Sequence, residues 1–419
     1  MDRDIIKSYL PDEKNMEIRT VTFYSNYFNH HQKSLCDELY KLLGDGFTFV
    51  ETMPMEEFRA SMGWGENAPS YTIRTYESEE VHKKAMELSI SSDVVIMGTA
   101  PEIYVEERLK ANKLTFRYSE RPLKEGFIKF FIPRLTKKYL HLHVSNRNKN
   151  MYVLAASAFT SLDFKKMFNS YKNKCYKFGY FPVHKVYDIN ELMERKERLS
   201  NGKISILWLG RMLKLKRPDL VIKAVARLKK DGYDFTLHMV GEGEMRPVCE
   251  KLVKDLGLEN NVTFEDFLSP DDAREKMADY KVYVMTSNKL EGWGSVIYEG
   301  LNAGCAVVAS HICGATPWLV EDKKCGLVFK SGSVDSLYNK LKYLFDNQKL
   351  IEEYGVRAYN KMHDKWNPQN AAKSILQLSK GLLLAGADGK DIIYPLKEYE
   401  IVDGPCSRAT DLRNNWYKE

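Results

Sequence analysis

The sequence predicts two doubly wound α/β domains that face each other across a cleft. Three observations carry this. A chain of 419 residues with 44% apolar content is too long for one ordinary core. Short β-branched and aromatic runs alternate with amphipathic runs, the pattern of a parallel sheet wrapped by helices. That alternation is interrupted by the polar segment Asp188 to Gly202 (DINELMERKERLSNG) and then restarts.

In the first series, Ile18 to Tyr24 reads as a strand, and Asn29 as the cap of an amphipathic helix from Gln32 to Leu43. Phe47 to Val50, Asp93 to Met97 and Leu114 to Tyr118 read as further strands, with helices at Glu79 to Ile90 and Glu102 to Asn112. The second series has strands at Ile204 to Leu209, Phe235 to Val240, Val262 to Phe264, Val282 to Met285 and Ala306 to Ala309. Each is followed by a polar or Gly-bearing turn and a helix. The expected organisation is domain 1–185, linker 186–202, domain 203–365, then 366–419 with a helix from about Ala371 to Leu384. No motif is readable from Ala385 onward. Such folds place ligands outside the carboxyl ends of their strands, so functional motifs are expected just after strands.

Composition excludes several classes. The 63 Lys and Arg exceed the 57 Asp and Glu by only 6, too little by itself for a nucleic-acid binder, and no binding module for nucleic acid is present. Seven scattered cysteines form no C-x-x-C pair and have no histidine at zinc-ligand spacing, so neither disulfides nor a metal framework is expected. Met1 to Asn15 lacks an apolar signal core, and no apolar run approaches the roughly 20 residues of a membrane span. A cytoplasmic setting is expected.

Two elements carry chemistry. After ILWL comes Gly210-Arg211-Met212-Leu213-Lys214-Leu215-Lys216, where the glycine turns the chain and the cations project over the cleft. Arg211 offers a planar fork to phosphate oxygens and Lys216 a movable point charge; the plainer reading is a solvated basic turn. After VYVM comes Glu291-Gly292-Trp293-Gly294-Ser295-Val296-Ile297-Tyr298-Glu299. Its glycines let backbone amides approach an anion or a sugar, and a helix opening near Ser295 directs its positive end at a diphosphate. Glu291 and Glu299 are suited to sugar hydroxyls, although Glu299 also reads as an ordinary acid in a helix's first turn.

Together these elements resemble the retaining GT-B-fold glycosyltransferases of family four, which carry a G-R-x4-K turn and an E-x7-E motif. Supporting matches are Val240-Gly241-Glu242-Gly243, Asn302 to Ala309 and Gly326-Leu327-Val328. The resemblance covers nearly all of the second domain and implies a nucleotide-diphosphate sugar donor, UDP-linked in preference to GDP-linked, held by Gly210, Arg211, Lys216, Gly241, Phe267, Leu268, Glu291, Gly292, Trp293, Gly294, Ser295 and Glu299. Arg211 and Lys216 would grip the diphosphate, Glu299 the ribose, and Glu291 with the 292–295 amides the sugar, while Asp266-Phe267-Leu268 flanks the base. Arg211, Lys216 and Glu291 are the expected catalytic residues. No D-x-D motif follows a strand, and Asp271-Asp272 reads as a helix cap, so neither metal nor other cofactor is expected. The implied reaction is retaining transfer to a saccharide or lipid-linked saccharide in cell-surface polysaccharide synthesis, with a capsule and exopolysaccharide branch suggested. The same shape also suits a nucleotide-sugar epimerase or an inactive scaffold subunit.

The first domain departs from the family's Gly-Gly pair after the first strand and His or Asp after the fifth. Here stand Asn26 to Gln32, with His30 and His31, and Ser119-Glu120-Arg121. His30, His31, Glu120 and Arg121 are the acceptor-side candidates; the alternatives are helix-packing histidines and a Glu120–Arg121 ion pair. In the resembling fold the closing helix returns to this domain. Residues 121–185 hold 14 Lys and Arg against 2 acids, and within them Gly126 to Leu135 (GFIKFFIPRL) mixes aromatics with cations. That mixture suits an interfacial segment at the inner face of an anionic membrane, or a buried helix with a basic edge.

Overall fold

The structure, a computed structural model, describes residues 17–56, 68–386 and 394–419. The expectation made for Met1 to Asn15 falls outside them. Seven strands form the first sheet: β1 (Val21–Ser25), β2 (Phe47–Glu51), β3 (Thr72–Arg74), β4 (Val94–Met97), β5 (Thr115–Ser119), β6 (Met151–Ala155) and β7 (Cys175–Lys177). Their order is β3-β2-β1-β4-β5-β6-β7. Six form the second: β8 (Ile204–Leu209), β9 (Phe235–Val240), β10 (Val262–Glu265), β11 (Val282–Met285), β12 (Ala306–Ser310) and β13 (Gly326–Phe329), ordered β10-β9-β8-β11-β12-β13. Every pairing within the two sheets is parallel. Central strands such as β1 and β4 are buried at every position, as parallel strands covered by helices on both faces must be.

The order reverses direction between β1 and β4 in one sheet and between β8 and β11 in the other. These switch points open crevices at the carboxyl ends of the strands. Asn29 caps the helix His30–Leu43 by accepting from the His31 amide at 3.0 Å. Two expectations change. The helix expected over 102–112 breaks at Val105 into a 3-10 turn, Glu102–Tyr104, and a short helix, Glu106–Lys110. Ser269, rather than Asp271 or Asp272, caps the helix Pro270–Met277, leaving both acids in its first turn. The segment expected as a linker or linker helix holds the helix Ile189–Ser200, which packs on the second domain: Lys196 Nζ donates to the Met277 and Tyr280 carbonyls and Arg195 pairs with Asp279.

The domains share a core. One apolar cluster runs from Phe23, Phe49, Phe178 and Phe181 in the first to Tyr283, Trp293, Tyr298 and Met362 in the second. Trp293, 2% exposed, lies against Gly179, where a Cβ would collide with the indole. The Ala158 amide donates to the Gly314 carbonyl across the joint at 3.0 Å. The connecting segment is clasped twice: Asn302 exchanges two 2.9 Å bonds with the Lys185 backbone, and the Tyr359 hydroxyl bonds the Tyr187 amide and carbonyl.

The helix Pro368–Gly386 returns to pack on the helix His30–Leu43. Beyond it, Cys406 to Ala409 bond antiparallel to Cys175–Lys177 and cover that sheet edge, Asp411 bonds Ser161 and Lys165, and the Trp416 indole donates to the His311 carbonyl in the second domain. All seven cysteines are buried free thiols.

Candidate functional site

The site is assembled from loops at the carboxyl ends of β8 and β11, met by the loops after β1 and β5. After β8 the chain turns at Gly210 (φ +155). At Gly241 (φ +127) a Cβ would collide with the Gly210 carbonyl, so this glycine lets the turns after β8 and β9 approach. The 3-10 turn Lys214–Lys216 is tied to the loop after β11 by Thr286 Oγ1 donating to the Lys216 carbonyl (2.7 Å) and by the Asn288 amide donating to Leu215 (2.8 Å). This stitching brings the two motifs into contact: Lys216 Nζ lies 2.5 Å from Glu291 Oε2, with side chains 15% and 14% exposed. Burial pushes the Glu291 carboxyl up, but the Lys216 ammonium, the Ser287 hydroxyl and the charge of Lys124 together hold it below its ordinary value.

Gly294 (φ +91) opens the helix Ser295–Asn302, whose N-terminus has no capping side chain. An uncapped helix start four residues after the Glu291 that Lys216 pairs with is suited to an anion. Arg211 is exposed at the same turn, and no described residue pairs with its guanidinium. Phe267 is also exposed, whereas Leu268 packs against the shared core.

Glu299 sits in the first turns of that helix with Arg274 Nη1 at 3.2 Å; Arg274 Nη2 pairs with Asp271 at 2.5 Å. Burial raises the Glu299 carboxyl, and Arg274 pulls it back only in part. Arg274 is the site cation that motif reading misses. In the sequence, Asp271 and Arg274 are an i,i+3 pair on a helix surface, and only the fold sets Glu299 opposite them.

The first domain contributes from across the cleft. The Glu120 carboxylate faces Gly292, where a Cβ would collide with it, and bonds Lys124 at 3.2 Å and the Tyr180 hydroxyl. Its ion pair is thus with Lys124 and not with Arg121. His30 and His31 lie with ring centres 4.0 Å apart, and His31 stacks on Tyr180 at 6.0 Å. Burial, and then the charge of Arg274, lowers His30 to about 4; burial, His30, Arg274 and Lys216 hold His31 well below its ordinary value. Both rings are therefore neutral at pH 7.

One expected site residue has other work. Arg121 is buried within the first domain, with Nε 3.2 Å from Asp163 and the guanidinium over Phe159. It holds the loop after β5 in place and does not line the cleft as an acceptor contact. The Trp293 indole is turned into the joint against Gly179 and Trp318; the donor contact expected of this residue is through its backbone amide. Among the described residues, no group of three or more His, Cys, Asp or Glu is placed to hold a metal ion.

Two parallel α/β domains with a ligand cleft between facing carboxyl edges define a GT-B fold. The match to solved structures agrees: an Anabaena protein, HepE, solved with UDP aligns at TM-score 0.63 and 16% identity over 85% of this chain and 98% of its own, and Staphylococcus aureus TarM, solved with UDP and saccharides, at 0.58 and 14% over 88% and 99%. Residues 190–361, most of the second domain, match the family model of the glycosyl transferases group 1. Curated relatives include the poly(ribitol-phosphate) alpha-N-acetylglucosaminyltransferase of Staphylococcus aureus, 26% identical over 41% of this chain and 34% of its own length. Another is an alpha-N-acetylgalactosaminyltransferase of Campylobacter jejuni acting on a diphospho-undecaprenol-linked saccharide, 33% identical over 36% and 40%. The chain thus spans well under two thirds of the length of these relatives.

Proposed function

We propose that this chain is a cytoplasmic, retaining, metal-independent glycosyltransferase that moves a sugar from a nucleotide-diphosphate sugar to a saccharide or lipid-linked saccharide acceptor in surface-polysaccharide synthesis. The observation that carries the reading is the Lys216–Glu291 pair at the uncapped N-terminus of the helix Ser295–Asn302. Cleavage of an anomeric bond leaves cation-like character on the sugar ring and negative charge on a phosphate oxygen. Lys216, the free guanidinium of Arg211 and the first helix amides are set where that charge develops, so they stabilise the transition state more than the ground state. Glu291, held ionised by Lys216, accepts from donor-sugar hydroxyls, and Glu299 from the ribose. His31 and Glu120 close the acceptor side, and the acceptor hydroxyl gives its proton to the departing phosphate oxygen as its own oxygen bonds the anomeric carbon, so no separate base is required. The presence of Arg211, Lys216, Glu291 and Glu299 together weighs against an inactive scaffold.

A UDP-sugar is the preferred donor; UDP is what the Anabaena and Staphylococcus structures hold, while a mycobacterial relative is named for GDP-mannose. A panel of UDP-, GDP- and ADP-sugars tested for protection against thermal unfolding decides this, since a ligand at about 100 times its Kd adds about 2.7 kcal/mol. A selective upward shift identifies the donor base. No shift with any nucleotide sugar or diphosphate at saturating concentration overturns the proposal.

A further inference from the structure

Exposed apolar side chains of the first domain gather beside the acceptor loop. From Glu120 and Lys124 at the cleft, the chain turns at Gly126 into the 3-10 segment Phe127–Phe131 and the helix Pro133–Tyr139. Phe127 stacks on Phe130 (5.6 Å) and meets Phe131 edge-on (5.4 Å), yet only Phe130 is buried. Ile128 is 78% and Phe131 69% exposed, with Ile132 also in solvent. A second segment adds to the same patch: Phe168, 60% exposed, lies 5.9 Å from Phe130. Phe168 has φ +56, a left-handed conformation that bulky side chains rarely adopt, so the turn holds an apolar ring in water at a conformational cost. Soluble surfaces seldom keep such a cluster without a use for it.

The charge around the patch is one-sided. Arg134, Lys137, Lys138, Lys166 and Lys172 are all exposed, and no described acid pairs with them; Lys129 pairs with Glu125 and Lys165 with Asp411. We propose that this surface docks the protein on an anionic lipid bilayer. Ile128, Phe131 and Phe168 enter the boundary between headgroups and acyl chains, and the five free cations meet the headgroups. A second copy would set these cations against their own kind. The outermost group, Ile128, is aliphatic and offers no face for stacking a nucleic-acid base. The segment begins at Glu120, so docking sets the acceptor side of the cleft at the bilayer. This last step rests on the transferase reading and narrows its acceptor to a lipid-linked saccharide.

The test uses the full chain and co-sedimentation with vesicles of phosphatidylcholine alone or with one third phosphatidylglycerol, at low and high salt. Binding is expected on the anionic vesicles and weakened by salt. Ile128→Ser with Phe131→Ser should lower it at least about tenfold, and Lys137→Glu or Lys138→Glu at least about fivefold each. The proposal is overturned if the wild type stays in the supernatant with anionic vesicles, or if the Ser pair binds like wild type. It is equally overturned if light scattering shows that the Ser pair turns a dimer into a monomer while vesicle binding is unchanged. Protection by nucleotide sugar without vesicles, expected to be the same in wild type and variants, reports on the transferase reading alone. Its absence beside intact vesicle binding sinks that reading and leaves docking standing.

Discussion

Lys216→Met keeps the aliphatic stem and deletes the ammonium that lies 2.5 Å from Glu291. Because both side chains are about one-seventh exposed, the stranded carboxylate is only partly rehydrated, and the loss falls at the low end of the range for a broken buried pair, about 2–3 kcal/mol. For a domain of this size that is a fall of roughly 5–10 °C in Tm. Burial, no longer opposed, then raises the Glu291 carboxyl. The deficit is present above the unfolded-state pKa and shrinks as pH falls through the raised folded value, where the carboxyl becomes neutral. Lys216→Met with Glu291→Gln removes the stranded charge and should recover most of the stability without recovering turnover. Turnover in Lys216→Met falls about 10²–10³-fold, the loss typical of one transition-state donor. Urea unfolding read by tryptophan fluorescence and a donor-consumption assay give both quantities. The reasoning is refuted if the double variant is no more stable than Lys216→Met, or if Lys216→Met turns over within a few-fold of wild type.

At the joint, Gly179→Ala meets both a positive φ of 92° and the Trp293 ring, so a loss of about 2–4 kcal/mol is expected together with separate unfolding of the domains in calorimetry; a single unshifted transition counts against a tight joint. Arg274→Met strands the buried Glu299 and should destabilise by about 2–4 kcal/mol, with Arg274→Lys intermediate because an ammonium cannot fork to Asp271 and Glu299 together; equal loss in both variants rejects the forked role. Burial holds His30 and His184 at about 4, so between pH 6.5 and 4 the unfolded chain binds protons that the folded chain does not. Stability should therefore decline as pH falls through that window, by up to about 1.4 kcal/mol per pH unit for each histidine, and urea midpoints that stay level from pH 7 to 5 contradict it.

Five of the six strands of the second sheet are legible, ISILWL as a nearly continuous apolar run and FTLHMV by its apolar alternation, whereas the short edge strand GLVF is not. The three-residue edge strands β3 (TIR) and β7 (CYK) give no such run, and β6 (MYVLA) lies in a strongly basic stretch that hides it. At the site, the spacing of Gly210, Arg211 and Lys216 and of Glu291 and Glu299 is visible in the sequence, because each set lies within one turn and helix start. Contacts made by the meeting of distant segments are not visible. Lys124 acting on Glu291 and Arg274 on Glu299 depend on which loops the two sheets bring together. The packing of the Trp293 indole against Gly179 is invisible for the same reason, since the two residues lie in different domains.

The apolar seam through both halves limits how this chain can be rebuilt. A chimera that grafts another protein's donor half after residue 188 would set a foreign side chain beneath Gly179 and foreign partners against Asn302's perch on Lys185. Exchange of donor preference between halves would succeed only where Gly179 and Trp293 travel as a matched pair, so specificity in this chain is more readily altered by point changes at the cleft than by shuffling whole modules.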